Sequence, residues 1–384
     1  MRQLKVEFML GNHAIVEGAI AAGCRYYAAY PITPVNEISM YMSERMPQVG
    51  GVFIQAEDEL FAIFSVIGAS LAGLKAMTAT ASAGFNYMQE GLGYATAVEV
   101  PLVVVDAMRT RGENFPTHAD IMQVRWGPSG DYEAVAFAPS SPQECFDFMI
   151  EAFNTAEKYR IPVIVITEAS IGLMRGKVII PDEDEIKKRI VNRRLARIDE
   201  IPPEKFLPYK GDERGVPPFP VLGTGYRVIR SLNPHDERGY IAWSPDVFER
   251  MYKRIIGKIR NNIDDIAKYR EFYLDDADIA VVAYGSTARI ALGAVKKLRE
   301  EGIKVGLLKL DTVFPVPEKE LKKVAEGVKG ILVPELNIGK YVLEVERVAG
   351  CITKVKSLPK NRGEQFTLKE IASGIKNLYR EVVI

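Results

Sequence analysis

Six short strand-like runs between residues 25 and 167, separated by stretches of helical periodicity, constrain this chain more than any other feature. They are Arg25–Tyr30, Val52–Gln55, Lys75–Thr80, Pro101–Met108, Ala134–Ala138 and Ile161–Thr167. Between most of them lie stretches with helical spacing of apolar residues, as in Leu60, Phe61, Phe64, Ile67 and Leu71, or Phe146, Phe148, Met149, Ala152 and Phe153. A strand covered on both faces is apolar almost continuously, whereas a helix needs only an apolar stripe. The alternation therefore predicts an α/β unit built on a parallel sheet with helices on both sides. Ser141-Pro142 marks one helix start, because Ser caps and Pro suits the first helical position.

The pattern changes near Pro181. Charge and proline dominate up to about Pro245, as in Pro202-Pro203 and Asp212-Glu213-Arg214-Gly215, which reads as an irregular connector. One long amphipathic helix is expected next, with Phe248, Met251, Tyr252, Ile255, Ile259, Ile263 and Ile266 on one side, packed on a domain or a partner subunit. A second α/β unit begins at Asp278, with strands at Ile279–Tyr284, Val305–Lys309 and Gly330–Val333. The expected division is residues 1–180, 181–275 and 276–384.

Composition removes several classes. Fifty basic residues balance fifty acidic ones, which argues against a duplex nucleic-acid binder. No apolar run reaches the roughly 18 residues of a membrane span, and the N-terminus lacks a signal peptide's layout, so a soluble cytoplasmic protein is expected. Cys24, Cys145 and Cys351 are too few and too scattered for a disulfide framework or a four-thiolate iron–sulfur site, and are expected to be buried apolar residues. Neither GxGxxG nor GxxxxGK[ST] occurs, which weighs against nicotinamide and nucleoside-triphosphate enzymes. His13 and His235 are too isolated for a metal site, and His118, after Thr117, is expected at a helix cap or on the surface.

Tyr30-Pro31-Ile32-Thr33-Pro34 follows the first strand, and its prolines stiffen the loop around the Thr33 hydroxyl. With Gly11-Asn12-His13-Ala14, Gln55-Ala56-Glu57-Asp58-Glu59, Met77-Thr78-Ala79-Thr80 and Asp106-Ala107-Met108-Arg109, this order of motifs resembles the α subunit of 2-oxoacid:ferredoxin oxidoreductases. Thr224-Gly225 and His235-Asp236-Glu237 are similar to the TG and HDE segments of the 2-oxoglutarate branch. The resemblance implies a thiamine-diphosphate-enzyme pyrimidine-binding domain with a doubly wound parallel sheet, followed by a transketolase C-terminal-like α/β domain.

It also implies roles. Glu57 is expected to bond N1' of the aminopyrimidine, Asp58 and Glu59 being first-turn acids; a helix start favours an acid for ordinary reasons as well. Thr33 is expected to reach the reacting centre, and Tyr30, Pro31, Ile32 and Gly84 to line the cofactor site. Arg109, with Arg111 as its competitor, is expected to pair with the substrate carboxylate, which a guanidinium fork matches bidentately. Where the family commonly has a Gly-Gly-Pro-Ser-Thr-Gly-like run, this chain has Thr110-Arg111-Gly112-Glu113-Asn114-Phe115-Pro116, which leaves the oxoacid open. The Gly-Asp-Gly that holds diphosphate through Mg²⁺ is absent. A β subunit is therefore expected to supply Mg²⁺, the diphosphate site and a [4Fe-4S] cluster, with γ and δ subunits, ferredoxin, CoA and a 2-oxoacid as further partners. The expected reaction is CoA-dependent oxidative decarboxylation of 2-oxoglutarate. Pyruvate or a branched-chain oxoacid, a noncatalytic scaffold, or half of a nonoxidative thiamine enzyme are the alternatives.

Overall fold

The computed structural model describes residues 5–110 and 114–384. Its strands are β1 (Lys5–Leu10), β2 (Cys24–Ala29), β3 (Val52–Gln55), β4 (Lys75–Thr80), β5 (Leu102–Met108), β6 (Ala136–Phe137) and β7 (Pro162–Glu168). They continue as β8 (Arg175–Ile180), β9 (Tyr269–Phe272), β10 (Ile279–Tyr284), β11 (Val305–Leu310), β12 (Thr312–Phe314), β13 (Gly330–Glu335) and β14 (Lys354–Pro359). All six strands expected before residue 170 are present, within two residues at each end.

The larger sheet runs β12-β6-β7-β5-β4-β2-β3 and is parallel except at β12. Every residue of β4 and β5 is buried, as their apolar runs require. Successive side chains go to opposite faces. Tyr27, Met77, Val103 and Val105 join the helices Gly11–Ala21 and Pro142–Tyr159 on one side. Ala28, Ala76 and Val104 join the helices Glu59–Leu71 and Gln89–Ala97 on the other. The first pair of helices packs so closely that a Cβ on Gly18 would lie 2.3 Å from the Phe146 carbonyl oxygen. Ser141 caps its helix as expected, accepting from Glu144 N at 3.2 Å.

The second sheet runs β14-β13-β10-β11-β9, with only β9 antiparallel. Its edge strand β9 comes from the end of the 181–275 segment, where no strand was expected. The two α/β units are stitched together: β12 leaves the second unit to pair antiparallel with β6, and Ala138 N donates to Asp311 O at 2.8 Å. Glu144 accepts from Lys309 Nζ at 3.0 Å and pairs with Arg270.

Three expectations need correction. The long helix is Pro245–Arg260 only; a turn at Asn261-Asn262 breaks it, and Ile263–Ile266 is a separate short helix. Met251, Ile255 and Ile259 are buried as expected, but Phe248 is exposed. Cys24 and Cys145 are buried, whereas Cys351 is exposed.

Candidate active site

In the larger sheet the chain passes from β2 outward to β3 and then returns to the other side of β2 as β4. Such a reversal opens a crevice at the carboxyl ends of the strands, where α/β proteins bind ligands. Four loops meet there. They carry Tyr30 to Thr33 after β2, Glu57 after β3, Ser82 and Gly84 after β4, and Arg109 after β5.

The loop after β2 is anchored from beneath. Asn12 Nδ2 donates to Pro34 O at 2.8 Å and to Glu37 Oε2 at 3.2 Å. Ile32 packs on the core, Tyr30 and Pro31 are exposed, and half-buried Thr33 accepts from Asn36 Nδ2 at 3.4 Å.

The acidic triplet after β3 divides its labour by position. Asp58 sits in extended backbone as the N-cap, its Oδ1 accepting from Phe61 N at 2.6 Å. Glu57, expected as the pyrimidine partner, stands exposed in the bend before it. Glu59, expected to be an ordinary first-turn acid, is instead 9% exposed and makes no hydrogen bond or ion pair among the described residues. Its Oε1 lies only 2.3 Å from where a Cβ on Gly84 would stand, so the absence of a side chain at Gly84 makes room for the carboxylate. Thr80 Oγ1, buried and without a hydrogen bond, borders the same spot at 2.1 Å. A buried hydroxyl left without a partner beside a mostly buried carboxylate is costly unless something polar joins it.

Arg109 follows β5 and is partly exposed, with Nη1 3.4 Å from Asn114 Oδ1. Arg111 lies outside the described residues. The backbone of Arg109 is gripped by Ser82: Arg109 N donates to Ser82 Oγ at 3.0 Å, and Ser82 Oγ is 3.0 Å from Arg109 O. Asp106 Oδ1 accepts from Ser82 N at 3.0 Å, and the Ser82 hydroxyl also meets Asp120 Oδ2. Burial, then the charge of Asp120, raises the Asp106 carboxyl well above the usual range; burial also raises that of Asp120.

His118 is neither cap nor surface residue. It is 1% exposed at the junction of the two units, where Nδ1 accepts from Leu336 N at 3.5 Å. Its Nε2 lies 3.5 Å from Glu168 Oε1, too loosely placed for a hydrogen bond. Gln365 Nε2 and Ser286 N donate to Glu168, at 2.9 and 3.3 Å. Although burial opposes it, the neighbouring His118 and then Ser286 hold the Glu168 carboxyl below its ordinary range. The residues that sequence reasoning passed over are thus Glu59, Ser82, Asp106, Asp120 and Glu168. Only Glu59 had a local signal: Asp58 is the better capping type, which puts the helix start at Glu59.

Among the described residues, no three His, Cys, Asp or Glu side chains are grouped to hold a metal ion, and no helix is long and apolar enough to cross a membrane.

Two family models match in tandem. Residues 17–254 match the pyruvate flavodoxin/ferredoxin oxidoreductase thiamine-diphosphate-binding domain, and residues 277–371 match core domain II of pyruvate:ferredoxin oxidoreductase. The 2-oxoglutarate synthase subunit KorA of Methanothermobacter marburgensis is 45% identical over 373 residues, covering 96% of this chain and 98% of its own. The solved 2-oxoglutarate:ferredoxin oxidoreductase of Magnetococcus marinus, with 2-oxoglutarate, coenzyme A and succinyl-CoA bound, superposes with a TM-score of 0.89 at 28% identity. That match covers 98% of this chain and 65% of the Magnetococcus chain. A split-gene transketolase shares the fold at a TM-score of 0.57 and 12% identity, over 97% of this chain and 98% of its own. A domain-length model match and a full-length relative at this identity place the chain in the 2-oxoacid:ferredoxin oxidoreductase family, as a subunit of the KorA type.

Proposed function

We propose that this chain is the α subunit of a cytoplasmic, CoA-dependent 2-oxoacid:ferredoxin oxidoreductase acting on 2-oxoglutarate. A β subunit would supply the diphosphate site, Mg²⁺ and the [4Fe-4S] centre, and ferredoxin would take the electrons. The full-length similarity to 2-oxoglutarate synthase subunits supports this substrate over pyruvate or branched oxoacids. Bound thiamine diphosphate supplies the carbanion chemistry that removes CO₂ from a 2-oxoacid.

The protein's share is to hold and orient. The observation that carries the reading is the buried, unpaired Glu59 carboxylate over Gly84 at the switch-point crevice. A carboxylate shielded from bulk water bonds N1' of the aminopyrimidine more strongly, and Glu59, 9% exposed, is shielded where exposed Glu57 is not. We assign the N1' bond to Glu59, with Glu57 on the rim. Arg109 seats the substrate carboxylate as a guanidinium fork. Thr33, held in its anchored loop, presents a hydroxyl to the 2-oxo group. Tyr30 and Pro31 are left uncovered on the rim of the same crevice.

Glu59→Gln in the assembled enzyme is expected to lower kcat by at least about 100-fold without loss of assembly, while Glu57→Gln stays within about threefold of the parent. Full activity of Glu59→Gln would exclude this assignment; collapse of Glu57→Gln alone would restore Glu57.

A further inference from the structure

The crevice contains a polar lock with no part in the chemistry assigned so far. Ser82 opens the short helix Ser82–Tyr87, which also carries Gly84 under the Glu59 carboxylate. The same residue grips both backbone groups of Arg109, so one turn of chain touches the cofactor side and the substrate side of the site. We propose that Ser82, held from two sides by Asp106 and Asp120, is the positioning residue that sets where Arg109 stands and thereby where the oxoacid carboxylate is seated. The proposal rests on the reading that Arg109 binds that carboxylate.

Three observations support it. Asp120 occupies the N-cap position of helix Ile121–Trp126 yet makes no capping bond; its side chain is diverted to Ser82. Asp106 belongs to the buried core of β5, so Ser82 N is tied to the most rigid part of the sheet. The proton count is also specific. A serine hydroxyl has one proton and two acceptor sites. It satisfies all three neighbours only when it accepts from Arg109 N, donates to Arg109 O and accepts from a protonated Asp120. An ionised Asp120 competes with the Arg109 carbonyl for the single proton and loosens the grip.

The groups facing Asp120 are consistent with a late ionisation. Ser82 and, more weakly, Lys340 favour its charge, but burial dominates and raises its pKa. Lys340 is itself engaged, donating to Ala119 O at 2.5 Å. Asp106 stands on the far side of Ser82.

The test compares Ser82→Ala, Ser82→Thr, Asp120→Asn and Arg109→Lys in the assembled enzyme, measuring kcat and KM for 2-oxoglutarate across pH together with thiamine diphosphate affinity. Ser82→Ala is expected to raise KM about tenfold, with kcat and cofactor affinity within about threefold, and Ser82→Thr to restore KM. In the parent, KM rises with pH as Asp120 ionises; Asp120→Asn, which cannot ionise, removes that rise. An unchanged KM in Ser82→Ala while Arg109→Lys raises it overturns the lock. An unchanged KM in Arg109→Lys overturns the underlying assignment of Arg109 and the proposal with it. Should Ser82→Ala fail to assemble, Asp120→Asn decides: a KM profile identical to the parent's refutes the proposal.

Discussion

Replacing Glu99 by Ala tests how the helix Pro245–Arg260 is fastened to the first unit. The Glu99 carboxylate is fully buried and receives Arg254 Nη1 and Nη2 at 2.8 and 2.6 Å and Lys258 Nζ at 2.7 Å. Lys258 is fully buried too, with the Arg160 carbonyl at 3.2 Å as its other bond. Removing the acid strands a buried ammonium, which costs about 3–5 kcal/mol. The lower end, about 3 kcal/mol, applies because the Arg160 carbonyl remains and Arg254 is 17% exposed and so reaches water. At about 2–4 °C per kcal/mol for a unit of this size, the unfolding midpoint of the assembled enzyme should fall by roughly 6–12 °C. Lys258→Met added to Glu99→Leu should recover most of the loss, because the penalty lies in the unpaired charge and not in the missing pair. The acid side follows from linkage. Burial opposes ionisation, but Arg254, Lys258 and Arg160 together hold the Glu99 carboxyl far below its ordinary value. Its contribution is therefore complete above about pH 4.5 and is lost as pH falls below that. A loss under about 1 kcal/mol at pH 7, or a double variant as unstable as Glu99→Ala, would refute the argument.

Two further substitutions probe the site and the junction. Gly84→Ala places a methyl group 2.3 Å from Glu59 Oε1, so it should weaken thiamine diphosphate binding at least about tenfold, measured by cofactor titration of the assembled apoenzyme; unchanged affinity would remove Glu59 from the cofactor site. Glu144→Ala removes the acceptor shared by Ser140, Lys309 and Arg270 across the two units. Asp311 stays with both cations, so the expected loss is about 2 kcal/mol, read by thermal unfolding.

What could be read from the residues, and what could not, follows from the range of the interactions involved. The strands β2, β4, β5 and β7 are legible because burial on both faces writes itself into consecutive apolar residues. The strands β9, β12 and β14 are short or half exposed, and β12 exists only because its partner β6 lies some 175 residues earlier, a pairing no local pattern encodes. The break after Arg260 was hidden because Ile263 and Ile266 continue the apolar spacing across a turn that Asn261 and Asn262 impose. His118 shows the limit most plainly. Nothing around it in sequence is apolar enough to predict burial, and the groups that bury it, Leu336, Glu168 and Tyr284, come from three distant segments.

The candidate site obeys the same logic. Its position at the carboxyl ends of β2 to β5 is local information, since each loop follows a legible strand. The choice between Glu57 and Glu59 is not, because it turns on where the helix begins. With Asp58 as N-cap, Glu59 becomes the first helical residue and lies over Gly84, while Glu57 is left in the bend. Only a two-residue shift in the helix start would put Glu57 where Glu59 now stands. Which of the two acids is buried over Gly84 is therefore set by a capping bond, Phe61 N to Asp58 Oδ1, that touches neither carboxylate. Asp58→Ala, though Asp58 bonds neither carboxylate, should cost about 1 kcal/mol of stability and also lower activity by relaxing the phase that buries Glu59. A variant with that stability loss but unaltered kcat and cofactor affinity would show that packing against Gly84 fixes Glu59 without help from the cap.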